Sequence, residues 1–275
     1  MSSQILVSFV MSVYKPNLDL LVKCIDSIKN QSYSNFELVL IYDGLDREES
    51  KFLDDYLETF EKKKVIKNKK NLGLTKSLNI GVKNSKGELI ARIDADDISS
   101  KDRIMLQVKE FTSDISLGLL GTWFHVIHPS GERVKNQPPL AHNQLVSEMF
   151  QRNPFCHSSV MFRKKLFDFV GGYDERYKVT QDLDLWFRIS EVATIKVISS
   201  FLLDRYSLKD SISLKKTRWN QLFNSLKIRW RNLNLVDSKT EVVLKIIKAF
   251  IKGFILNLSP SLIEKARKYF RRISR

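Results

Sequence analysis

Short apolar stretches alternate with amphipathic ones along the first hundred residues of the chain. Ile5–Val13 and Phe36–Tyr42 are rich in Val, Ile and Leu, which is typical of buried strands, whereas Leu18–Gln31 carries apolar residues at helical spacing. The alternation continues with a helix from about Glu48 to Phe60, a short strand at Val65-Ile66, a helix at Lys76–Lys83 and a strand at Glu88–Asp94. This order predicts a parallel sheet with helices on both faces and places Asp43 and Asp94 at the same edge.

The pattern changes after a further predicted helix at Lys101–Thr112. Leu117–Ile127 is apolar and aromatic, and the later segments are shorter. They predict a helix near Asn143–Gln151, a strand at Val160–Phe162, a short helix at Lys164–Val170, a helix at Thr180–Val192, strands at Ile195–Ile198 and Leu202–Tyr206, and helices from Leu214 onward. The chain therefore divides into an α/β domain, residues 1–207, and a helical extension, residues 208–275.

Composition narrows the class of protein. The 275 residues are 43% hydrophobic, which is ordinary for a globular protein and excludes a disordered chain. The two cysteines, Cys24 and Cys156, are far apart and form no CxxC motif, so neither a disulfide framework nor a zinc site is expected and a reducing, cytosolic environment fits. Gln4–Val13 lacks the flanking features of a signal peptide, and we interpret it as a strand.

The positive charge is concentrated in the helical extension. Of the net +15, the residues from Lys215 onward contribute +13. Within Glu241–Leu258, Lys245, Lys248 and Lys252 fall on one helical face among apolar residues. Three lysines disfavour a membrane-spanning helix, whereas a helix lying on an anionic membrane surface fits this pattern. The alternative is that these helices pack on the α/β domain or on a second subunit and leave a solvated basic face.

Three carboxylates follow the strand Glu88–Asp94 within four residues, at Asp94, Asp96 and Asp97. Open α/β sheets bind their ligands at the carboxyl ends of strands. Like charges this close repel each other, so we expect a cation or a phosphate-bearing ligand there. The alternative is a polar turn in which Asp97 caps the helix that begins near Lys101.

A series of short motifs identifies a family that the chain resembles. They are Val10-Met11-Ser12-Val13-Tyr14, Asn30-Gln31-Ser32-Tyr33-Ser34-Asn35-Phe36-Glu37-Leu38-Val39, Asp43-Gly44, Asn71-Leu72-Gly73-Leu74, Asp94-Ala95-Asp96-Asp97, Val170-Gly171-Gly172-Tyr173-Asp174 and Asp182-Leu183-Asp184-Leu185-Trp186-Phe187-Arg188. With these motifs, from about residue 5 to 207, the chain resembles glycosyltransferase family 2. It is most similar to bacterial exopolysaccharide and O-antigen transferases of the amylovoran-biosynthesis type. The resemblance implies a GT-A fold with a mixed sheet and inverting transfer from a nucleotide sugar.

The resemblance also implies roles for individual residues. Asp96 would ligate Mn²⁺ or Mg²⁺, and Asp182, at the start of a helix, would accept the proton of the acceptor hydroxyl. Asp43 would accept a hydrogen bond from uracil or another base, and Asp94 from the ribose hydroxyls. The implied donor-binding residues are Val13, Tyr14, Asp43, Asn71, Lys76, Asp94, Ala95 and Asp96, and the acceptor-side candidates are His157 and Gln181.

Each of the principal assignments has a structural alternative. An Asp before a Gly, as at Asp43, is common in turns. Asp182 can simply favour the helix dipole, and His157 can be a buried, hydrogen-bonded structural residue. Asp97 would cap the next helix or orient Asp96.

Other prominent residues are expected to be structural. Asp184 lies on a different side of the helix from Asp182, and Trp123 and Trp186 are expected in the core. Two departures from the family pattern affect donor preference: Gln181 and Tyr42 stand where an acidic residue is usual.

The expected function is transfer of a sugar from a nucleotide sugar, with UDP as the expected nucleotide, to a hydroxyl of a lipid-linked glycan in bacterial surface polysaccharide synthesis. The expected location is the cytoplasm, on the cytoplasmic face of the inner membrane. An inactive nucleotide-binding scaffold is the alternative that Gln181 keeps open. A nucleic-acid-binding protein fits less well, because the basic residues are segregated from the α/β domain and form no known nucleic-acid motif.

Overall fold

The first half of the chain forms the alternating unit that the hydrophobic pattern predicts. The protein is described here by a computed structural model that covers residues 4–207, 218–236 and 238–258. The first elements are β1 (Val7–Val13), α1 (Leu18–Lys29), β2 (Phe36–Asp43), α2 (Arg47–Tyr56), β3 (Lys63–Asn68), α3 (Leu74–Lys83) and β4 (Leu89–Arg92). The side chains of Asn17 and Asp46 accept hydrogen bonds from the first turns of α1 and α2, so each helix begins soon after a strand ends.

The order of these strands forms a crevice at one edge of the sheet. β1 lies between β2 and β4 and is parallel to both, and β3 lies outside β2. The chain moves outward from β1 to β3 and returns on the other side of β1, so the strand order reverses between β1 and β4. In open α/β sheets, ligands bind outside the carboxyl ends of the strands at such a reversal. Val13, Asp43 and the residues after Arg92 lie at this edge.

The second half completes a mixed sheet. Its elements are β5 (Ile98–Ser99), α4 (Arg103–Ser113), β6 (Leu117–Ile127), β7 (Arg133–Asn136), α5 (His142–Met149), β8 (Met161–Arg163), α6 (Lys164–Phe169), α7 (Gln181–Ser190) and β9 (Thr194–Tyr206). β8 is antiparallel to both β4 and β6, and β9 runs parallel to β6. Within the described residues, the sheet has nine strands.

Two details of the predicted second half are wrong. Ile195–Ile198 and Leu202–Tyr206 are two parts of β9, separated by an irregularity at Ser199 and Ser200. In the sequence, these two polar residues resemble a loop between two strands. In the structure they interrupt the pairing with β6 without ending β9. Asp97 does not cap the following helix, because β5 intervenes and α4 begins at Arg103.

Two hydrophobic clusters cover the two faces of the sheet, as predicted. The first packs α1, α2 and α4 against the strands through Ile25, Leu53 and Phe111. The second packs α3, α5 and α7 on the opposite face and includes Trp186, which is fully buried, with Trp123 against it. Cys24 and Cys156 are buried free thiols of the first cluster, which agrees with the absence of a predicted disulfide.

The C-terminal helices pack against the second cluster. α8 (Arg218–Arg231) and α9 (Lys239–Leu258) bury Ile228, Val242 and Ile246 there. Arg231 of α8 forms an ion pair of 2.5 Å with Asp184, which is fully buried in α7. The predicted helices of residues 214–217 and 259–275 lie outside the described residues. Within the described part of the chain, neither α8 nor α9 nor any other helix is long and apolar enough to cross a membrane.

Candidate active site

The acidic residues after β4 form a cluster at the crevice edge. Asp94, Asp96 and Asp97 each offer a carboxylate oxygen, and these atoms all lie within 4.8 Å of one another. Ala95 lies in the turn that joins them and is partly exposed. Carboxylate oxygens at this spacing suit Mg²⁺ or Mn²⁺, which take one or two protein carboxylates and complete their shell with phosphate and water oxygens. The donor atoms present therefore fit a divalent cation. We call Asp94, Asp96 and Asp97 the acidic cluster.

A buried arginine holds one side of the acidic cluster. Arg92, at the end of β4, is 2% exposed and directs both terminal nitrogens of its guanidinium at the Asp94 carboxylate. Ser158 connects the pair: its Oγ accepts hydrogen bonds of 2.9 Å from Arg92 Nη1 and from the Asp94 amide. Burial would raise the pKa of Asp94, but Arg92 brings that pKa below its ordinary value. Asp94 is therefore a fixed negative charge.

The other two carboxylates of the acidic cluster bind protons more tightly than usual. Burial, with the charge of Asp94 as the second cause, raises the pKa of Asp96 to about 6 and that of Asp97 to about 8. Asp97 is 2% exposed and accepts a hydrogen bond of 3.0 Å from the Tyr206 amide. Among the described residues, Arg92 is the one that forms an ion pair with any of these three carboxylates, so a bound cation would stabilise the fully ionised cluster.

The two residues that follow β1 are exposed, and one of them is strained. Val13 is buried, whereas Tyr14 is 44% exposed at the crevice edge. Lys15 adopts a positive φ of 45°, which is unfavourable for a residue other than glycine. Backbone strain of this kind is concentrated at ligand sites. The strain supports the prediction of a binding role for Val13 and Tyr14.

The predicted base-binding residue Asp43 lies beneath a turn. Its carboxylate accepts hydrogen bonds from the amides of Leu72 (2.8 Å) and Gly73 (3.0 Å) and from Asn68 Nδ2 (2.9 Å), and the residue is 1% exposed. These bonds hold the turn that begins at Asn71, which itself donates to the Asp43 carbonyl. These contacts are those of an aspartate that stabilises a turn, which is the structural alternative for Asp43. A direct contact with a nucleobase stays a prediction.

Among the described residues, Lys76 and Gln181 form no ion pair or side-chain hydrogen bond with the acidic cluster, Asp43 or Asp182. Lys76 of α3 forms a long ion pair of 3.7 Å with Glu175, and both side chains are about half exposed. Gln181 is nearly buried at the start of α7, and among the described residues its Oε1 has no hydrogen-bond partner. Their roles in donor and acceptor binding also stay predictions.

Asp182 lies at the start of α7 beside a second strained residue. Thr180, which precedes the helix, has a left-handed φ of 65°, an unfavourable conformation for a β-branched residue. The Asp182 carboxylate accepts a hydrogen bond of 2.7 Å from Asn153 Nδ2 and remains partly exposed. Burial raises its pKa. A carboxylate that is oriented by one amide and more basic than usual has the properties of a general base.

His157 and Tyr173 form a pair close to both the acidic cluster and Asp182. His157, in a 3-10 turn of residues 157–159, is hydrogen-bonded through Nε2 to the Tyr173 hydroxyl at 2.8 Å. Burial and the nearby Arg92 lower the pKa of His157 well below its ordinary value, so the ring is neutral at pH 7. These contacts match the structural alternative for His157, and a contact with the acceptor stays a prediction.

Arg92 connects the two halves of the candidate site. Its charge lowers the pKa of Asp94 and also opposes the rise in the pKa of Asp182. Burial raises the pKa of the Tyr173 hydroxyl, and the charges of Asp182 and Asp94 raise it further. The structure therefore brings the acidic cluster and Asp182 around one arginine, whereas the Asp43 carboxylate faces its own turn on the neighbouring strand.

Sequence reasoning missed four residues of this site: Arg92, Asn153, Ser158 and Tyr173. One signal was available for Arg92, because a charged residue inside an apolar strand needs a buried partner. Asn153 and Ser158 carry no signal of their own, since their contacts join segments 29 and 64 residues apart. Asp184, predicted to be structural, is fully buried between Arg188 and Arg231.

Sequence comparisons match the part of the chain that carries the acidic cluster, and the family model ends before Tyr173 and Asp182. The model of the family described as Glycosyl transferase family 2 matches residues 8–171. An uncharacterized glycosyltransferase of Methanocaldococcus jannaschii is 29% identical over 82% of this chain and 80% of its own length. The amylovoran biosynthesis glycosyltransferase AmsE of Erwinia amylovora is 27% identical over 80% of this chain and 83% of its own. The O-antigen biosynthesis glycosyltransferase WbnJ of Escherichia coli is 33% identical over 67% and 71%.

Solved structures share the fold. Residues 1–349 of TarS from S. aureus, crystallised with UDP-GlcNAc, superpose with a TM-score of 0.71 over 93% of this chain and 76% of that one. The crystal structure of the same fragment with UDP gives a TM-score of 0.70. The identity is 14% and 15%, so the likeness concerns the fold alone. With the mixed sheet and its helices on both faces, it confirms the predicted GT-A fold.

Proposed function

The chain belongs to glycosyl transferase family 2, and from this membership we propose that it is an inverting enzyme of surface polysaccharide synthesis. Its donor would be a nucleoside diphosphate sugar with UDP as the nucleotide, and its acceptor a hydroxyl of a lipid-linked glycan. AmsE and WbnJ are named for amylovoran and O-antigen synthesis, and TarS was crystallised with UDP and UDP-GlcNAc. The names of AmsE and WbnJ support a role in polysaccharide synthesis, and the TarS ligands support a nucleotide-sugar donor.

One observation carries the proposed mechanism: residues 153–158 hold both parts of the site, because Asn153 donates to the Asp182 carboxylate and Ser158 accepts from the Asp94 amide. Asp96, with Asp94 and Asp97 beside it, would hold Mn²⁺ or Mg²⁺ at the carboxyl end of β4. A divalent cation there supplies positive charge that stabilises a departing diphosphate. Arg92 fixes Asp94 through two guanidinium nitrogens, which keeps that carboxylate ionised and positioned beside Asp96.

Asp182 would activate the acceptor. Its carboxylate takes the proton of the acceptor hydroxyl as the hydroxyl oxygen forms a bond to the anomeric carbon of the donor. The bond from that carbon to the diphosphate oxygen breaks on the opposite side, and its electron pair leaves with the nucleoside diphosphate, which inverts the configuration. Asn153 orients the Asp182 carboxylate for this transfer. The raised pKa of Asp182 makes this carboxylate a stronger base.

A donor screen tests the proposal. The purified full chain would be incubated with UDP-glucose, UDP-galactose, UDP-GlcNAc and UDP-GalNAc, with Mn²⁺ or with EDTA, and release of UDP would be measured. We expect slow hydrolysis of one donor that requires the metal and is faster with a sugar acceptor. If the chain binds UDP but releases none from any donor, the alternative of an inactive nucleotide-binding scaffold is favoured instead.

We also propose that the C-terminal helices attach the enzyme to the cytoplasmic face of a membrane. The side of α8 and α9 that faces away from the sheet, here called the outer face, exposes several large apolar residues. They are Trp219, Phe223 and Trp230 of α8, and Leu244, Ile247, Ile251, Phe254 and Ile255 of α9. Lys248 and Lys252 are exposed among them, whereas Lys245 pairs with Glu241 at 2.7 Å. An apolar face with interspersed lysines suits an anionic lipid surface.

Vesicle binding tests this attachment. Removing two lysines that contact anionic lipid should weaken binding by about 30-fold, since each contributes about 1 kcal/mol. The double variant Lys248→Gln/Lys252→Gln would be compared with Lys51→Gln/Lys62→Gln, which loses the same charge from exposed positions on the α/β domain. Equal binding of the two double variants to vesicles with phosphatidylglycerol would contradict the proposal. Point variants are preferable to deletion, because α8 and α9 contribute to the second cluster.

A further inference from the structure

A cavity of about 520 Å³ lies between α7, α8 and α9. Asn153 and Asp182 line it from the α/β domain, Leu222, Ser225 and Arg229 from α8, and Ala249 from α9. The α8 residues lie at i, i+3 and i+7, so one face of that helix forms the wall. The volume is in the range of small-molecule sites, and the cavity contains the proposed catalytic base. We call it the helical cavity.

Arg229 is the unusual member of this wall. It is 9% exposed, and its Nε donates a hydrogen bond of 2.9 Å to the Met149 carbonyl. Among the described residues no carboxylate pairs with its guanidinium, and burial alone lowers its pKa, to about 10. It is still charged at pH 7. Of the other arginines near the site, Arg92 pairs with Asp94 and the more exposed Arg231 pairs with Asp184. The buried Arg103 directs its Nη2 at the carbonyls of Arg92 and Val160.

An unpaired buried guanidinium is costly unless an anion offsets its charge. The two terminal nitrogens of Arg229 have fixed positions because the Nε bond to Met149 anchors the group. A planar guanidinium with free terminal nitrogens is well suited to a phosphate oxygen pair. The apolar wall residues, Leu222 and Ala249 among them, would accommodate hydrocarbon beside that phosphate.

We propose that the helical cavity binds the acceptor and that Arg229 binds the phosphate group that joins its sugar to its lipid. The proposal rests on the proposed function, because it places the acceptor hydroxyl at Asp182. It assigns the inner face of α8 and α9 to acceptor recognition, opposite the outer face. The substrate class is an amphiphile in which a phosphate separates a sugar from an apolar chain.

The test uses the intact full chain and a simple amphiphile. Binding of octyl phosphate would be measured by calorimetry below its micelle concentration, beside octyl β-glucoside, which has the same chain and no charge, and inorganic phosphate. Hydrogen bonds to charged groups contribute about 1.5–3 kcal/mol, so Arg229→Gln should weaken octyl phosphate binding roughly 10- to 150-fold. Lys227→Gln is the matched control, since it removes one charge from the exposed side of the same helix.

Each outcome decides the proposal. An amphiphile site is supported by two results together. Arg229→Gln loses octyl phosphate binding while Lys227→Gln keeps it, and the unmodified chain binds inorganic phosphate at least tenfold more weakly than octyl phosphate. Equal loss in Lys227→Gln would indicate the outer face instead, and inorganic phosphate binding as tightly as octyl phosphate would indicate a free-anion site. Either result overturns the proposal. If Arg229→Gln does not fold, Ala249→Phe, which fills the cavity and keeps the charge, should still abolish binding.

The failure of this proposal is distinct from failure of the proposed function. Metal-dependent hydrolysis of a nucleotide sugar by the unmodified chain needs no acceptor and tests the proposed function alone. Transfer to a lipid phosphate-linked sugar, which Arg229→Gln should lose, tests the acceptor site. If the unmodified chain hydrolyses no donor but binds octyl phosphate in an Arg229-dependent manner, the transferase proposal fails and the site remains.

Discussion

Asp43 and Asp96 occupy equivalent places in the fold and have opposite surroundings. Both lie at the carboxyl edge of the parallel strands, Asp43 at the end of β2 and Asp96 after β4. Asp43 accepts two hydrogen bonds from the amides of a turn that covers it and a third from Asn68 at the end of β3, and it is 1% exposed. Asp96 lies partly exposed beside two other carboxylates. We call Asp43 a closed carboxylate and Asp96 an open one.

The difference shows that a carboxylate at a strand end is not by itself a ligand site. What decides its role is whether the backbone of another loop uses up its oxygens. Asp182 belongs with the open carboxylates, because it accepts one side-chain hydrogen bond, from Asn153, and remains partly exposed. Neutralising an open carboxylate should therefore affect activity or metal binding, and neutralising a closed one should affect stability.

The largest effect is expected for Asp182→Asn. An amide cannot take the acceptor proton, so the rate of sugar transfer should fall roughly 10²- to 10⁴-fold, the usual contribution of a general base. Donor affinity and melting temperature should change little, since the amide keeps the shape of the side chain. The control is Glu191→Gln, an exposed acid at the other end of α7. Near-normal turnover of Asp182→Asn would mean that the proton goes elsewhere.

The next effect concerns the metal. Asp96→Asn removes one anionic oxygen from the acidic cluster, and Mn²⁺ affinity should fall at least about tenfold, since even altering the partners of a metal ligand costs that much. Folding should not suffer, because the change also removes repulsion with Asp94. Calorimetric titration with Mn²⁺ measures this, with Asp102→Asn, whose side chain caps nothing, as the control. Unchanged affinity would exclude Asp96 as a ligand.

Asp43→Asn is expected to have the converse result. Its amide group would face the Gly73 or Leu72 amide, leaving a buried donor unpaired at a cost of about 1–3 kcal/mol. For a protein of this size each kcal/mol lowers the melting temperature by roughly 2–4 °C. Asp46→Asn is the matched control, because Asn caps a helix as well as Asp does. A raised KM for the donor at unchanged stability would instead make Asp43 an open carboxylate that contacts the base.

The contrast between Asp43 and Asp96 also marks what the sequence could predict. The acidic cluster was accessible because its three members are within four residues of each other and follow an alternating strand. The turn that covers Asp43 could not be predicted in this way, because its amides belong to Leu72 and Gly73, which follow Asp43 by 29 and 30 positions. Local spacing describes which groups the chain offers, and long-range contacts decide which of them stay free.

The same limit applies to the fold. Elements with a strong repeating pattern, such as α1 and β2, were predicted within about two residues of their ends. β5 has two residues, too few to show a pattern, and its pairing with β9 is what moves Asp97 away from the start of α4. Arg92 could be suspected as a buried charge, but its bonds to Ser158 depend on how β8 and its preceding turn pack against β4.

The smallest expected effect is a pH dependence of stability that distinguishes Asp182 from an exposed acid. Burial raises the pKa of Asp182 in the folded chain, so the folded state binds its proton more tightly than the unfolded state does. Ionisation of this group therefore lowers the free energy of unfolding as pH rises above about 4, the ordinary value for Asp. Asn cannot ionise, and the melting temperature of Asp182→Asn relative to the unmodified chain should rise from near zero at low pH to a small positive value at pH 7. The measurement is thermal unfolding of Asp182→Asn and of the unmodified chain across this range with EDTA present. A difference that falls with pH would show that the folded protein favours the ionised form of Asp182, which would make it a closed carboxylate like Asp43.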